Sequence, residues 1–237
     1  MILQHPLFNL GFRSFFLLAG VFATLLILLW LAIFAGLWPA PTYLGFMGWH
    51  THEMLFGYTM AVVAGFLLTA VSNWTGIITA TGPLLAGLTV LWVAARITLT
   101  FNIGLPAWLV AMIDVSFLPV LAGVLFIPLW RSGNFRNLIF PALLLALAVA
   151  NLVIHLQALG VITVGSVRAQ QFALNAIMLI MVVIGGRVIP FFATSVLPDA
   201  QVRRIDWADK AAIGLVMLVL VIDLFPFYLP WLVRQQY

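Results

Sequence analysis

Long apolar runs dominate this sequence, and each is about as long as a helix that crosses a lipid bilayer. We predict seven membrane spans, at approximately 15–38, 47–71, 83–101, 106–130, 138–159, 170–189 and 210–233. A spanning helix needs roughly 20 mostly apolar residues, whereas the strands of a membrane barrel are shorter and alternate in polarity. Only 7% of the residues are charged, which excludes a soluble domain, where about a quarter would be. The expected fold is therefore an all-α, polytopic membrane helix bundle in which 1–237 form a single membrane domain.

Basic residues are distributed unequally between the two ends of the predicted spans. Reversing direction from each span to the next places seven of them on one side of the membrane: Arg13, Arg131, Arg136, Arg187, Arg203, Arg204 and Lys210. The three towards the other side are Arg96, Arg168 and Arg234. Because Lys and Arg are enriched in cytoplasmic loops, we predict a cytoplasmic N-terminus. The basic excess is thus explained by the lipid bilayer, and no nucleic-acid partner is expected.

The densest group of potential ligands lies in residues 49–58, where the second span begins. It contains His50, His52 and Glu53, and the alternation of spans brings His155, near the end of the fifth span, to the same outer face. The chain has no cysteine, so a metal must be held by His, Met, carboxylate or backbone oxygen. Neutral imidazoles can bind haem iron or copper. The alternative is that these histidines anchor the helix ends at the membrane interface, as Trp and Tyr do.

The spacing of the histidines bears on whether they share one ligand. A regular helix advances about 100° per residue, which puts His50 and Glu53 on one face and turns His52 away from His50. The two histidines then serve different partners, whereas a helix that begins only after His52 would let both chelate one ion. Asn151 precedes His155 by one helical turn on the same face. It could orient His155 or bind a ligand, or it could form an ordinary hydrogen bond between helices.

Two charged residues are predicted near the outer ends of the third and fourth spans. Arg96 and Asp114 belong to a tight hairpin, so they could form a buried ion pair. The alternatives are that Arg96 binds a haem propionate or that both belong to a proton path. Asp223 has no evident partner in the sequence.

A ridge of small residues and the segment around Arg187 are less specific signals. Gly57 and Gly65, with the alanines at 61 and 64, form a ridge along the second span that favours close helix packing or contact with a flat macrocycle. Arg187 lies in the glycine- and proline-containing segment 184–192, at the cytoplasmic end of the sixth span. It could bind an anionic group or extend its side chain to the membrane interface.

Several segments together resemble the NnrS family. They are HPLFNLGFR (5–13), WHTHEMLFG (49–57), AGFLLTAVSNWTG (64–76) and GGRVIPFF (185–192), with Asn151 and His155 between the last two. Members of that family are bacterial polytopic membrane proteins described as binding haem and copper and associated with nitric oxide metabolism and nitrosative stress. The resemblance implies a multi-pass protein of the bacterial inner (cytoplasmic) membrane, with haem b and copper as the expected cofactors.

The resemblance also implies roles for individual residues. His50, His52 and His155 match recurring histidines of the family and are the expected metal or haem ligands. Glu53 and Arg187 match recurring charged positions, the first expected at the metal and the second at the cofactor. Family members are usually longer, with further helices that carry additional histidines. The alternatives for this chain are a short variant, one half of a split protein, or a subunit whose missing helices and ligands come from a partner chain or a second copy.

Two other function classes stay open at the level of the sequence, and no reaction is assigned. One is an accessory membrane subunit of a larger respiratory or photosynthetic complex. The other is a proton-coupled, transporter-like bundle in which Glu53, Asp114 and Asp223 relay protons.

Overall fold

The computed structural model describes residues 5–196 and 205–224, and it confirms the predicted bundle of helices. No strand occurs in these two ranges. The helices are α1 (Gly11–Phe34), α2 (Phe46–His52), α3 (Met60–Thr75), α4 (Gly82–Thr100), α5 (Ala107–Arg131), α6 (Ile139–Ala158), α7 (Ser166–Val196) and α8 (Asp206–Leu224). A π-helical segment joins α2 and α3 into one span, Phe46–Thr75. Within the described residues, six helical segments are long and apolar enough to cross a membrane, as a multi-pass membrane protein requires.

Glycine and proline residues set several helix ends close to the predicted positions. Gly76 ends α3 with a φ of 69°, and its N–H donates to the Ser72 carbonyl. Glycine adopts this left-handed conformation without steric cost. Pro83 lies in the first turn of α4 and Pro106 directly precedes α5, where a missing N–H costs no helical hydrogen bond. Each of the first six predicted spans consequently overlaps one of the six membrane-length segments.

The C-terminal part of the chain is described only in part. Helix α8 covers the beginning of the predicted seventh span, 210–233, and the remainder of that span lies outside the described residues. The chain divides into two compact units, Met1–Gln170 and Gln171–Tyr237. A single membrane domain over the whole chain stays a prediction.

Small residues let the helices of the first unit approach closely. The span Phe46–Thr75 is the most buried of the six, and its α3 packs against both α1 and α5. A Cβ at Gly65 would lie only 2.8 Å from a ring carbon of Phe16, and one at Gly11 would overlap Leu68. The small-residue ridge is therefore occupied by α1 along this stretch. Close packing of helices, one of the two interpretations of the ridge, accounts for it.

In the second unit, a partly buried polar pair joins α7 and α8. The Asn175 amide donates to Asp223 Oδ2 at 2.5 Å. Asp223, for which the sequence suggested no partner, thus has one in the structure. Buried polar side chains in a membrane helix need such a partner, because hydrocarbon offers none.

Candidate metal centre

The π-helical segment Glu53–Thr59 positions the main cluster of polar side chains. Segments of this kind are rare and occur mostly at functional sites. Two side chains donate to carbonyls within it: Thr59 Oγ1 to Met54 at 2.8 Å and Trp92 Nε1 to Gly57 at 3.1 Å. The chain therefore leaves regular α-helical geometry directly after His52, with hydrogen bonds that stabilise the change.

His52 and Glu53 lie together at the start of this segment, and His50 lies apart from them. The side chains of His52 and Glu53 are both fully buried, and His52 Nδ1 is 3.3 Å from Glu53 Oε1. The His50 ring instead stacks on Trp30, with the ring centres 3.8 Å apart. Helix α2 begins before His50, and the two histidines contact different residues, as that alternative predicts. Which ligand either histidine binds stays a prediction. The predicted grouping of Glu53 with His50 is not seen, because Glu53 turns towards His52.

Arg96 connects two buried carboxylates. Its Nη1 donates to both oxygens of Glu53, at 3.1 and 3.0 Å, and its Nη2 donates to Asp114 Oδ1. All three side chains are at least nine-tenths buried. The predicted pair of Arg96 with Asp114 is thus confirmed, and Glu53 joins it from a third element. Arginine suits this position because its planar guanidinium can hold two carboxylates at once.

The two buried histidines meet at the other oxygen of Asp114. His52 Nε2 lies 3.2 Å and His155 Nε2 lies 3.0 Å from Asp114 Oδ2. Asn151 completes the group, since its amide donates to Asp114 Oδ2 at 2.7 Å and its carbonyl oxygen is 2.8 Å from His52 Nε2. Asn151 thus forms hydrogen bonds between helices, one of the alternatives for it, and it contacts His52 and Asp114 instead of His155. Its assignment to a cofactor stays a prediction. The helical hairpin α5–α6 supplies Asp114, Asn151 and His155, and α2 supplies His52.

Tyr43 adds a contact that the sequence did not suggest. It lies in the connection between α1 and α2, and its hydroxyl is 3.0 Å from His155 Nδ1. Because the other nitrogen of this ring faces a carboxylate, which only accepts, Nδ1 is left to accept the tyrosine O–H. Burial, together with the negative charge of Asp114, raises the pKa of Tyr43 to about 12, so its phenol stays protonated at neutral pH. One feature of the sequence could have suggested this contact: Tyr43 lies in a loop at the end of the bundle where His155 was predicted.

The charges of the cluster do not cancel when the imidazoles are neutral. Glu53 and Asp114 contribute two negative charges and Arg96 contributes one positive charge. Burying a net charge is costly, so the cluster favours one further positive charge. A proton on a histidine or a bound metal ion could each supply it.

Three of these side chains form a potential metal site. One donor atom each from His52, Asp114 and His155 lies within 4.8 Å of the other two, and all three residues are buried. Glu53 is not one of the three, since both of its oxygens bind Arg96. Two imidazole nitrogens and a carboxylate oxygen are ligands that copper, iron and zinc accept. These three residues could therefore hold one ion.

The remaining predicted site residues lie elsewhere. Nδ1 of His50 is buried without a hydrogen-bond partner among the described residues. Arg187 belongs to the second unit, on α7, and is half-buried. Their assignment to a cofactor stays a prediction.

Comparison with known proteins identifies one family. The sequence model of a family described as NnrS protein matches residues 6–235. No curated protein and no solved structure matches the chain. The family match covers every residue of the buried cluster.

Proposed function

Because the chain belongs to the NnrS family, we propose that it is a membrane protein of the nitric oxide response that holds one transition-metal ion between His52, Asp114 and His155. The observation that carries this proposal is the convergence of three buried donor atoms within 4.8 Å. A metal bound there would supply a redox-active or ligand-binding centre. The chain's own residues would hold the ion, balance its charge and exclude water.

Charge balance supports an ion at this position. The net negative charge left by Glu53, Asp114 and Arg96 favours a cation, and the shared oxygen of Asp114 already faces both histidine nitrogens. An ion between them would replace hydrogen-bonding protons without separating the helices. Of the two expected cofactors, copper suits this set of nitrogen and oxygen ligands.

Haem does not fit against these two histidines as they are packed. The rings of His52 and His155 have no exposed surface at all, so no space remains beside either ring for a macrocycle. The proposal for this cluster is accordingly a single ion. Haem binding through His50, which is partly exposed, stays a prediction from the family resemblance.

The proposal also places the cluster near the outer face of a bacterial inner membrane. Its support is the excess of basic residues predicted on the opposite side. Cysteine labelling from either side of sealed membrane vesicles tests this. One single cysteine replaces Thr42, in the connection between α1 and α2, which shares a cleft with the start of α5, and the other replaces Ser132, directly after the end of α5.

Metal analysis of purified protein tests the ion site. Wild-type protein is expected to retain about one copper ion per chain after copper loading and dialysis, and His52→Ala and His155→Ala are expected to lose it. His50→Ala is the matched control, since His50 is two residues from His52 and has none of the cluster's contacts. Folding of each variant is checked by circular dichroism. Loss of copper in His50→Ala with retention in the other two would contradict the assignment.

Proton movement is a second candidate, favoured by one observation. A continuous chain of hydrogen bonds runs from Tyr43 through His155 and Asp114 to Arg96 and Glu53. Tyr43 also lines a cleft of about 470 Å³ formed largely by the connections α1–α2 and α4–α5. Proton flux into proteoliposomes by metal-free protein, lost in Asp114→Asn and in His155→Ala and kept in His50→Ala, would favour transport over metal binding.

A further inference from the structure

A cleft at one end of the first unit lies next to the buried cluster. Its volume is about 470 Å³, and it is formed largely by the connections α1–α2 and α4–α5. Leu99 and Val110 are buried residues of its lining. Leu99 follows Arg96 by three residues and Val110 precedes Asp114 by four, so each pair shares one face of its helix. At about 1.5 Å per residue, Arg96 and Asp114 lie only about 4–6 Å deeper in the bundle than these lining residues.

The cleft suits a hydrated metal ion. Connections between membrane helices lie at the ends of the helices, where water can reach their backbone groups. An ion with about six water molecules needs roughly 180 Å³, at about 30 Å³ for each water, which is less than the volume of the cleft. None of the described residues of the lining is charged, and the neighbouring cluster has a net negative charge that attracts a cation.

Tyr43 separates this cleft from the cluster. It lines the cleft, and its hydroxyl is 3.0 Å from His155 Nδ1. Of the described lining residues, it alone forms a hydrogen bond with a residue of the cluster. The rings of His52 and His155 have no exposed surface, so an ion reaches them only after a covering side chain moves.

The connection that carries Tyr43 is held by few contacts. Residues 38–44 form no backbone–backbone hydrogen bond within the described part of the chain. All residues from 34 to 40 are exposed. Segments with few buried contacts and few hydrogen bonds open locally more easily than the core. The side-chain hydrogen bond of Tyr43 shifts the ratio of closed to open forms by roughly two- to tenfold.

We propose that this cleft is the route by which the metal ion reaches its ligands and that Tyr43 is the gate, roles that depend on the proposed metal site. When Tyr43 moves aside, the His155 ring loses the partner of its Nδ1 and is free to turn, which opens a way to Asp114 Oδ2 beside Nε2. The hydroxyl can close the gate in both states. It donates to Nδ1 in the empty site, and it accepts from Nδ1–H once Nε2 binds the ion.

The rate of copper loading tests the gate. Metal-free protein in lipid nanodiscs takes copper(I) from a weak chromophoric chelator, and an excess of a strong chelator then measures release. Tyr43→Phe keeps the ring without the hydroxyl and is expected to load copper roughly two- to tenfold faster than wild type, with faster release as well. Thr42→Val is the matched control, since it removes a hydroxyl from the exposed neighbouring residue, which makes none of the cluster's contacts. Faster release with unchanged loading would mean that Tyr43 only positions His155 and would overturn the gate.

Blocking the cleft tests the route independently of Tyr43. The chain has no cysteine, so a bulky maleimide on Ala107→Cys reacts only there, in the lining. Loading and release are both expected to slow at least about tenfold, with the affinity unchanged. Thr163→Cys carries the same label as the control, because Thr163 is exposed in the connection α6–α7 and is not part of the lining. Equal rates in the two labelled proteins would overturn the route.

These measurements separate failure of the metal site from failure of its entry route. A wild type that binds no copper overturns the metal site and the route together. A wild type that binds copper, at rates that neither Tyr43→Phe nor the label at Ala107→Cys alters, overturns only the route.

Discussion

Gly57 occupies a position where even one added carbon would disturb the buried ion pairs. A Cβ there would lie 2.7 Å from Arg96 Nη1, 2.8 Å from Glu53 Oε2 and 2.9 Å from a ring carbon of Phe22. Arg96 cannot retreat freely, because both of its Nη atoms bind carboxylates. Gly57→Ala is therefore expected to destabilise the protein by about 1–3 kcal/mol through overpacking. If Arg96 separates from Glu53, the cost rises towards about 3–5 kcal/mol.

Gly87→Ala provides a matched control for this change. Gly87 lies on α4, the helix that carries Arg96, and nothing lies within 4 Å of a Cβ placed there. Replacing a glycine in a helix by alanine without a clash stabilises by about 0.5–1 kcal/mol. Gly57→Ala is expected to lose at least about 1 kcal/mol and Gly87→Ala to gain at least about 0.5 kcal/mol. The free energies of unfolding of the two variants should therefore differ by at least about 1.5 kcal/mol. Unfolding in mixed micelles by SDS titration, followed by circular dichroism, measures it. Equal stability of the two variants would refute the close contact between Gly57 and Arg96.

Three further predictions concern Arg96 and Tyr43. Arg96→Gln leaves two buried carboxylates without a cation and should cost about 3–5 kcal/mol in the same unfolding assay; Arg131→Gln, at the exposed end of α5, should cost far less. Tyr43→Phe removes the hydrogen bond to His155 Nδ1 and should weaken copper binding about 10–100-fold in a chelator competition, while unchanged affinity would argue against a role for Tyr43 in orienting His155. The raised pKa of Tyr43, about 12, means that the unfolded chain releases this proton first. Its contribution to stability should be complete below about pH 10 and be lost as pH rises from there towards 12; a stability profile of Tyr43→Phe with the same alkaline loss as wild type would contradict this.

Spans and their ends follow from local properties of the chain. A run of about 20 apolar residues crosses a bilayer as a helix whatever its neighbours are, and glycine or proline ends it for reasons of backbone geometry. For this reason α4, Gly82–Thr100, has nearly the predicted bounds of 83–101. Burial of Asp114 beside Arg96 was also predictable, since a short connection forces two adjacent helices to pair their charges.

The cluster itself depends on interactions between distant segments. Glu53 turns towards His52 where the chain becomes π-helical, and side chains of this segment and of α4 stabilise that geometry. A uniform step of about 100° per residue cannot anticipate it. Tyr43 reaches His155 across more than a hundred residues of sequence, and no local pattern specifies the path of its loop.

The amino-acid sequence was sufficient to predict a helical membrane protein, a concentration of histidines at the start of the second span and their common depth with His155. These properties depend on the hydropathy of each segment, which does not depend on the other segments, and on the reversal of direction from each span to the next. Which residues share one site depended on the packing of α2, α4, α5 and α6, since packing selects His52 over His50 and brings Asp114 between two imidazoles. The physical reason is that distances of a few ångströms between ligand atoms depend on how each helix is rotated and on which side chains touch. The hydropathy of a span does not specify either of these.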